Sequence, residues 1–471
     1  MRGDACACEM TNELVIRGGK RLRGSVRVQG SKNSVLPILA ACAAVEGVCT
    51  IHNCPRITDV DCTLKILRHL GCRITRNGSS VAVDARDIRS CEVPEALMQE
   101  MRSSIVFLGP LLSRFGESVV SAPGGCEIGQ RPINLHLLAM QALGAAVEYG
   151  EQGRLRLSRQ GRLCGESVAL ALPSVGATEN LMIAAAAARG TTVIINAARE
   201  PEITDLAAFL NRCGANIRGA GEGTVTIEGV RRLHGCEYRV IPDRIAVSTL
   251  MSCAAVTQGV ITLEEVVPAH VSPVFAAYED MGCTLEMGEN RLTIRAPRRP
   301  ARFRTIHTMP YPGFPTDSQA TAMAMACAAK GTSVIVENIF ENRYKQAAEL
   351  RRLGAQIEVE CRMAVVEGVP QLRAAHVTAP DLRGGAGLVV AGLAAAGETR
   401  ISAVHLIDRG YEEIEKSLQL LGADVKREAV YGSGKSTAAP AGESAADGSG
   451  AGSENSEKQP RNGGLSGACC P

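Results

Sequence analysis

Six copies of one short pattern constrain the fold of this chain more than any other feature. They read HLGCRI, ALGAAV, RCGANI, DMGCTL, RLGAQI and LLGADV, and their glycines are Gly71, Gly144, Gly214, Gly282, Gly354 and Gly422. A second series, EGVCTI, FGESVV, RGTTVI, QGVITL, KGTSVI and AGETRI, runs ahead of the first with a similar spacing. Two independent series with one period predict six copies of a single structural unit of about 70 residues.

Each unit has the pattern of a mixed α/β segment. An alanine-rich helix ends at the glycine of the second series, where a positive φ is expected, and a β-branched strand such as TTVIIN follows. An amphipathic helix then ends at the glycine of the first series, and one or two more strands complete the unit. In the first unit, Asn77-Gly78 predicts a hairpin turn. The predicted fold class is therefore α/β, with six repeated βαβαββ-like units.

The six units predict two domains of three units each, with a ligand cleft between them. The rhythm is interrupted at IPDRIA, residues 241–246, so we expect the chain to leave domain one early, complete domain two and return. The predicted boundaries are 12–31 and 242–428 for domain one and 32–241 for domain two. Residues 1–11 and 429–471 have little apolar material to bury and are expected to be disordered.

Charge and hydropathy argue against several classes of function. The chain has 51 Lys and Arg against 49 Asp and Glu, a balance that is not typical of nucleic-acid or anionic-membrane surfaces. No strongly apolar run reaches the length of a membrane span. The first residues also lack the pattern of a signal peptide, so we expect a cytoplasmic protein.

The eighteen cysteines show no C-x-x-C spacing. Most lie in apolar runs, so we expect reduced core residues and no metal site. Cys126 differs, because it lies among glycines in PGGCEIGQR, close to Arg131. Nearby positive charge would favour its thiolate, whereas a thiol near its reference pKa could donate a proton. The sequence leaves both roles open.

Other polar candidates lie where helices are expected to begin. Lys32 and Asn33 begin an apolar helix, where a cation is unfavourable unless an anion binds. Asp317 follows the turn PYPGFPT at a helix start, where an acid is also common as a cap. Arginines follow strand-like segments in several units and predict a convergent anion site; they are Arg102, Arg343, Arg383 and Arg409.

Several segments, among them GSKNSVLPILAA, PGGCEIGQRPINLH, FPTDSQA and HLIDRGYEEIE, resemble the UDP-N-acetylglucosamine 1-carboxyvinyltransferases over roughly residues 12–428. The resemblance implies a two-domain inside-out α/β barrel with the active site in the cleft. It also implies enolpyruvyl transfer from phosphoenolpyruvate to the 3′-hydroxyl of UDP-N-acetylglucosamine, through a tetrahedral intermediate, as the first committed step of peptidoglycan synthesis. It implies no metal or organic cofactor, these two small molecules as partners, and a monomer.

The resemblance also implies roles for individual residues. Cys126, Asp317, Lys32 and Arg409 would be catalytic, with Asp317 as base at the sugar hydroxyl. Lys32, Asn33, Arg131 and Arg409 would bind phosphoenolpyruvate. Cys126 would deliver a proton, assist product release and be the target of fosfomycin.

A larger set of residues is implied to line the UDP-sugar site: Arg102, Arg131, Pro132, Ile133, Asn134, Leu135, Leu172, Pro173, Ser174, Val175, Asp317 and Ile339. Arg343, Asp381 and Arg383 are implied to support the cleft. Asn134 and Leu172 depart from the family pattern, because many relatives carry Asp and some carry Lys at these positions.

Two alternatives belong to different functions. The enolpyruvyl transferase that acts on shikimate 3-phosphate has the same fold, but it lacks a PGGC loop and has Lys-Ser in place of Lys32-Asn33. A sensor that binds UDP-sugar without turnover would not need Cys126, Asp317 and Arg409 intact.

Overall fold

The computed structural model describes residues 10–121, 124 and 133–431. Three predicted site residues, Cys126, Arg131 and Pro132, lie outside the described residues. The same holds for 1–9 and 432–471, which make up most of the two segments predicted to be disordered.

Helices and strands are interspersed along the described chain. The strands are β1 Met10–Arg17, β2 Arg23–Arg27, β3 Val48–His52, β4 Arg73–Asn77, β5 Ser80–Asp84, β6 Glu117–Val120, β7 Ala146–Tyr149, β8 Leu155–Ser158, β9 Ser167–Ala169, β10 Thr191–Ile195, β11 Asn216–Arg218, β12 Thr224–Glu228, β13 Glu237–Arg239, β14 Val260–Glu264, β15 Thr284–Gly288, β16 Arg291–Arg295, β17 Thr305–His307, β18 Gly331–Val336, β19 Gln356–Glu360, β20 Met363–Gly368, β21 His376–Thr378, β22 Glu398–Ser402 and β23 Asp424–Tyr431. The α-helices are α1 Lys32–Ala41, α2 Thr58–His69, α3 Glu95–Glu100, α4 Leu108–Phe115, α5 Asn134–Ala142, α6 Val175–Ala185, α7 Pro201–Arg212, α8 Arg244–Val256, α9 Pro268–Val271, α10 Phe275–Asp280, α11 Gln319–Ala328, α12 Gln346–Arg352, α13 Leu382–Ala394 and α14 Ile414–Leu420.

The strands form six small sheets with one common topology. The orders are β13-β3-β5-β4, β9-β10-β12-β11, β2-β14-β16-β15, β17-β18-β20-β19, β21-β22-β1-β23 and β6-β8-β7. In each four-stranded sheet the first pair is parallel and the other two pairs are antiparallel. In the three-stranded sheet a parallel bridge between Glu92 and Val119 stands in the place of the first pair. The predicted sixfold repeat of an α/β unit is confirmed.

The sheets surround the helices. In one half of the protein α8, α11 and α13 pack on one another, and in the other half α4 packs against α6. Nearly every residue of α8 and α13 is buried, as expected for helices that are apolar on all sides, whereas the strands alternate between buried and open positions. Sheets therefore lie outside and helices inside, as the resemblance implied. None of the described helices is long and apolar enough to cross a bilayer.

The buried apolar residues form two separate cores. Core one contains Leu14 to Val28 and Ala246 to Val425, and core two contains Val35 to Val240. The predicted domain boundaries stay a proposal, which this division of the cores supports.

Two chain segments join the cores, and they are hydrogen-bonded to each other. Ser31 N donates to Ile241 O at 2.8 Å, and Asp243 N donates to Gln29 O at 2.9 Å. Gly30, between Gln29 and Ser31, lies so close to the backbone of Asn53 that a Cβ at Gly30 would be 1.8 Å from Asn53 O. The interruption at IPDRIA is thus the point where the chain crosses back.

The ordered chain is longer at both ends than predicted. Thr11 pairs with Val430 and Asn12 with Ala429, because β1 lies between β22 and β23 in the last sheet. Hydrogen bonds between the strands satisfy the backbone whether or not the side chains are apolar. The prediction of disorder from composition was therefore wrong for residues 10, 11 and 429–431.

The glycine predictions are confirmed in most units and wrong in two. All six glycines of the first series have positive φ, between 84° and 105°. In the second series Gly47 and Gly259 do not, and Gln258 adopts the left-handed conformation in place of Gly259. A Cβ at Gly47 would lie 2.6 Å from Gly235 N, and one at Gly259 would lie 2.9 Å from Leu22 O. Close backbone approach, not φ, explains these two glycines.

Gly422 isolates the energetic effect of positive φ, because its φ is 88° and a Cβ there would meet no atom within 4 Å. We expect Gly422→Ala to lower the free energy of unfolding by about 1 kcal/mol. Gly422→Asn should lower it less, since asparagine tolerates this conformation. Urea denaturation measures both, and an alanine variant as stable as the parent would contradict the explanation.

Candidate active site

The site begins where α1 begins, beside the crossing of the two linkers. Asp243 Oδ1 accepts hydrogen bonds from Ile245 N at 2.8 Å and Ala246 N at 3.0 Å, which caps α8. Its Oδ2 accepts from Lys32 N at 3.0 Å. One carboxylate therefore satisfies the starts of two helices that belong to different cores, and it fixes the backbone of Lys32.

The side chain of Lys32 pairs with a carboxylate that sequence analysis missed. Lys32 Nζ lies 2.9 Å from Asp59 Oδ2, and both side chains are almost fully buried. Arg409 donates to the same carboxylate, from Nε to Oδ1 at 2.9 Å and from Nη2 to Oδ2 at 3.3 Å. Burial alone would raise the pKa of Asp59, but Lys32 and Arg409 outweigh it and lower that pKa. Asp59 thus holds cations from both cores side by side.

A second carboxylate gathers the next group. Asp317 Oδ1 accepts from Arg343 Nη2 at 2.9 Å, and Oδ2 accepts from Arg383 Nη2 at 3.4 Å and Asn33 Nδ2 at 3.3 Å. Arg343 and Arg383 are buried, whereas 26% of the Asp317 side chain remains exposed. Asp317 is therefore held in place and still open on one side.

The charge state of Asp317 follows from its neighbours. Burial would raise its pKa, but the charges of Arg383, Arg343 and then Lys32 hold the pKa well below its usual range. The charge of Lys32 lowers the pKa of both Asp59 and Asp317, so the two carboxylates belong to one site. Asp317 is an ionised hydrogen-bond acceptor at any physiological pH in this ligand-free state.

Glu337 positions the turn that carries Asp317. It is fully buried, and its Oε2 accepts from Thr316 Oγ1 at 2.9 Å. Its Oε1 accepts from Thr308 Oγ1 at 2.7 Å and from Ile339 N at 2.9 Å. The predicted UDP-sugar residue Ile339 is therefore tied to the same carboxylate as the Asp317 turn.

Asp381 has a structural contact. Its Oδ1 accepts from Arg383 N at 2.9 Å and from Gly384 N at 3.0 Å, which caps α13. Arg383 in turn donates from Nη1 to Tyr411 Oη at 3.3 Å and lies over the Tyr411 ring. Asp381 therefore fixes the start of the helix that carries Arg383.

A third group lies around His136, which sequence analysis also missed. Asn134, Leu135 and His136 belong to the first turn of α5, where Ile133 is the preceding residue. Burial and, to a smaller extent, the charge of Arg102 lower the pKa of His136 to about 4. The ring therefore stays neutral, and Nδ1 lies 2.8 Å from Asn180 Nδ2.

The start of α6 closes this group. A Cβ at Gly176 would lie 3.0 Å from His136 Cε1, so α5 and α6 meet at their first turns. Ser174 caps α6 through Ala177 N at 3.4 Å, and Val175 begins the helix. Leu172 and Pro173 precede the cap, and Leu172 is 68% exposed. The two helix starts that carry predicted UDP-sugar residues are therefore neighbours.

The missed residues had only weak sequence signals. Asp59 lies in the first turn of α2 and Asp243 at the cap of α8, where acids are ordinary helix-start residues. Glu337 and His136 lie next to predicted positions, but their hydrogen bonds cross between elements. Of these residues, only Asp243 lies in a segment that the sequence singled out, the interruption at IPDRIA.

Chemically, the described residues suit an anion with several charges. Lys32, Arg343, Arg383 and Arg409 converge from both cores, and Asp59 and Asp317 balance them in the ligand-free protein. Arginine forks and a lysine at a helix start are the usual protein donors to phosphate and carboxylate oxygens.

Comparison with known proteins agrees with this fold. The family model described as EPSP synthase (3-phosphoshikimate 1-carboxyvinyltransferase) matches residues 16–418. Among solved structures, the enolpyruvyl transferase NikO from Streptomyces tendae superposes with a TM-score of 0.81 at 28% identity, covering 90% of this chain and 100% of that one. An EPSP synthase from Acinetobacter baumannii has a TM-score of 0.67 at 19% identity, covering 89% of this chain and 100% of that one, and supports the fold alone.

Curated relatives are more similar in sequence. UDP-N-acetylglucosamine 1-carboxyvinyltransferase 2 of Caldanaerobacter subterraneus subsp. tengcongensis is 49% identical over 88% of this chain and 98% of its own length. UDP-N-acetylglucosamine 1-carboxyvinyltransferase 1 of Symbiobacterium thermophilum is 48% identical over 90% of this chain and 97% of its own length. The chain belongs to the enolpyruvyl transferase family, in its UDP-N-acetylglucosamine 1-carboxyvinyltransferase branch.

The two capping aspartates allow a matched comparison of stability. Asp243→Ala removes the cap of α8 and leaves buried Lys32 N without its acceptor, so we expect a loss of about 2 kcal/mol in the free energy of unfolding. Asp381→Ala removes one cap and should cost about 1 kcal/mol. Chemical denaturation measures both variants. Equal losses would show that the bond from Lys32 N to Asp243 adds no stability.

Proposed function

We propose that the protein transfers the enolpyruvyl group of phosphoenolpyruvate to the 3′-hydroxyl of UDP-N-acetylglucosamine and releases phosphate. The observation that carries the proposal is the convergence of Lys32, Asn33 and Arg409 on two carboxylates, Asp59 and Asp317, drawn from both cores. The names of relatives at 49% and 48% identity support the same reaction.

Phosphoenolpyruvate carries about three negative charges, so fixed cations are needed to bind it and to stabilise charge that develops during reaction. In the proposal Lys32 and Arg409 bind its phosphate and carboxylate, with Arg131 from the segment outside the described residues. Asp59 holds the two described cations side by side and oriented before the substrate arrives. Substrate binding then replaces contacts with water and carboxylate by contacts with phosphate.

The reaction begins with a proton added to the methylene carbon of phosphoenolpyruvate, which leaves positive charge at C2. The sugar hydroxyl attacks C2 and gives up its proton, which forms a tetrahedral intermediate that still carries the phosphate. Loss of a methyl proton and departure of phosphate then restore the double bond. We propose Cys126 as the proton donor and Asp317 as the acceptor of the hydroxyl proton.

The low pKa of Asp317 in the ligand-free state makes it a weak base. Phosphoenolpyruvate changes this, because its negative charges neutralise the surrounding cations and raise the pKa of a nearby carboxylate. Asp317 is therefore proposed to become an effective base only when both substrates are present. Such coupling would protect the enzyme from unproductive proton transfer.

The UDP-sugar is proposed to lie along the starts of α5 and α6, with Arg102 and Ile339 at its sides. Two helix N-termini offer free amides to a diphosphate, and neutral His136 offers a polar ring without charge. Leu172, which is exposed, would contact the nucleotide by its apolar surface, where some relatives place a lysine. We further propose that the protein is a cytoplasmic enzyme of peptidoglycan synthesis and is active as a monomer.

The activity is tested by phosphate release from phosphoenolpyruvate, with UDP-N-acetylglucosamine and, in parallel, with shikimate 3-phosphate. We expect release only with the UDP-sugar, and its loss after treatment with fosfomycin. The Cys126→Asp variant should remain active and resist the drug, because a carboxyl group can donate the proton but does not open the epoxide as a thiolate does. Binding of the UDP-sugar without phosphate release would favour the sensor, and release with shikimate 3-phosphate would favour the other transferase.

The role proposed for Asp59 is tested against a neighbour on the same helix. We expect Asp59→Asn to lower kcat/KM by about 10²-fold, since misplaced cations lose much of the advantage of preorganisation. Asp61→Asn is the control, because exposed Asp61 pairs with Arg76 outside the site. Steady-state kinetics measure both, and equal effects would contradict a specific role for Asp59.

A further inference from the structure

Three cysteines that are far apart along the chain meet in core two. The Sγ atoms of Cys49, Cys213 and Cys236 all lie within 4.8 Å of one another, and those of Cys213 and Cys236 are 3.4 Å apart. Cys49 belongs to β3, Cys213 follows the end of α7, and Cys236 precedes β13. The three cysteines are free and at least partly buried, as the sequence predicts, and they also lie together.

Backbone hydrogen bonds bring the three thiols together. Cys236 O accepts from Thr50 N at 2.9 Å, which places the segment before β13 beside β3. Cys213 O accepts from His234 N at 2.9 Å, which brings the same segment to the end of α7. The cluster is thus fixed by the fold of core two, and it is not a chance approach of mobile side chains.

We propose that Cys49, Cys213 and Cys236 form a binding site for a soft divalent metal ion, with Zn²⁺ as its most suitable occupant. Zinc binds thiolate sulfur at about 2.3 Å, and tetrahedral geometry then separates the sulfurs by about 3.8 Å. The observed separations need only small side-chain rotations to reach this value. Three protein ligands leave a fourth position, and half-buried Cys236 leaves it open to water.

The charges around the cluster favour zinc over a monovalent soft ion. Three thiolates and Zn²⁺ carry one net negative charge, and the positive charge of Arg212, which acts on Cys236, offsets part of it. A monovalent ion such as Cu⁺ would leave two negative charges. Cys213 also lies at the C-terminal end of α7, where the helix dipole favours a cation and disfavours bare thiolates.

A bound ion would tie β13 to β3 and α7. Because β13 leads directly into the linker at 241–243, the ion would stabilise the base of the linker crossing without touching the substrate site. The site therefore does not depend on the proposed activity. Its effect belongs to stability and metal content.

Zinc content of the reduced full-length protein tests the proposal. After incubation with Zn²⁺ and removal of excess with a weak chelator, native mass spectrometry should find one tightly held zinc per chain, and zinc should raise Tm by a few degrees. Cys236→Ser removes a ligand from the half-buried side, so it should keep its fold and weaken binding at least tenfold. Cys164→Ser, at an exposed cysteine, and Cys126→Ala are the matched controls and should retain the ion.

A second readout counts the sulfur ligands. Co²⁺ bound in place of zinc should give a thiolate charge-transfer band, which should weaken in Cys236→Ser and remain in Cys164→Ser. The proposal is overturned if Cys236→Ser binds zinc as tightly as the parent, or if the parent retains none. It is equally overturned if zinc is lost only in Cys126→Ala, since the loop thiol would then be the ligand.

Discussion

The arrangement of the site depends on the hydrogen bonds that the Asp243 carboxylate accepts. Its two oxygens accept backbone amides from the starts of α1 and α8, which belong to different cores. Because both linkers cross at this point, the same carboxylate fixes the angle at which Lys32 and Asn33 enter the cleft. A helix start needs some acceptor for its free amides, and here that need is met across the boundary between the cores.

Charge balance is the second constraint on the site. Four buried or half-buried cations would repel one another strongly in the absence of substrate, and uncompensated buried charge is costly. Asp59 and Asp317 reduce that cost while keeping the cations oriented. The same arrangement makes Asp317 a weak base until an anionic substrate shares the cations. Stability of the free protein and timing of the proposed chemistry thus have one electrostatic origin.

The repeated unit explains how one fold places the proposed active site and the proposed metal site in different regions. Each unit buries an apolar helix and leaves a small sheet outside, so the helix starts of several units converge on one region. That convergence gathers Lys32, Asp317 and the caps of α8 and α13. At the opposite ends of the helices, the same packing brings Cys213 towards Cys49 and Cys236. Helix starts suit anions and helix ends suit cations, and the two proposed sites follow this polarity.

The sequence by itself determined the repeat, the α/β class, the crossing at IPDRIA and the helix starts that carry Lys32, Asn33 and Asp317, because these follow from local spacing, glycine chemistry and resemblance. It misjudged Gly47 and Gly259, whose role depends on a backbone brought close by folding. Asp59, Asp243 and the three-cysteine cluster were decided only by the tertiary structure. Their partners lie in other units, and a contact between distant segments leaves no periodic trace in the chain. An acid at a helix start is interpreted as a cap, and whether it also pairs with a buried lysine depends on which segment packs against it.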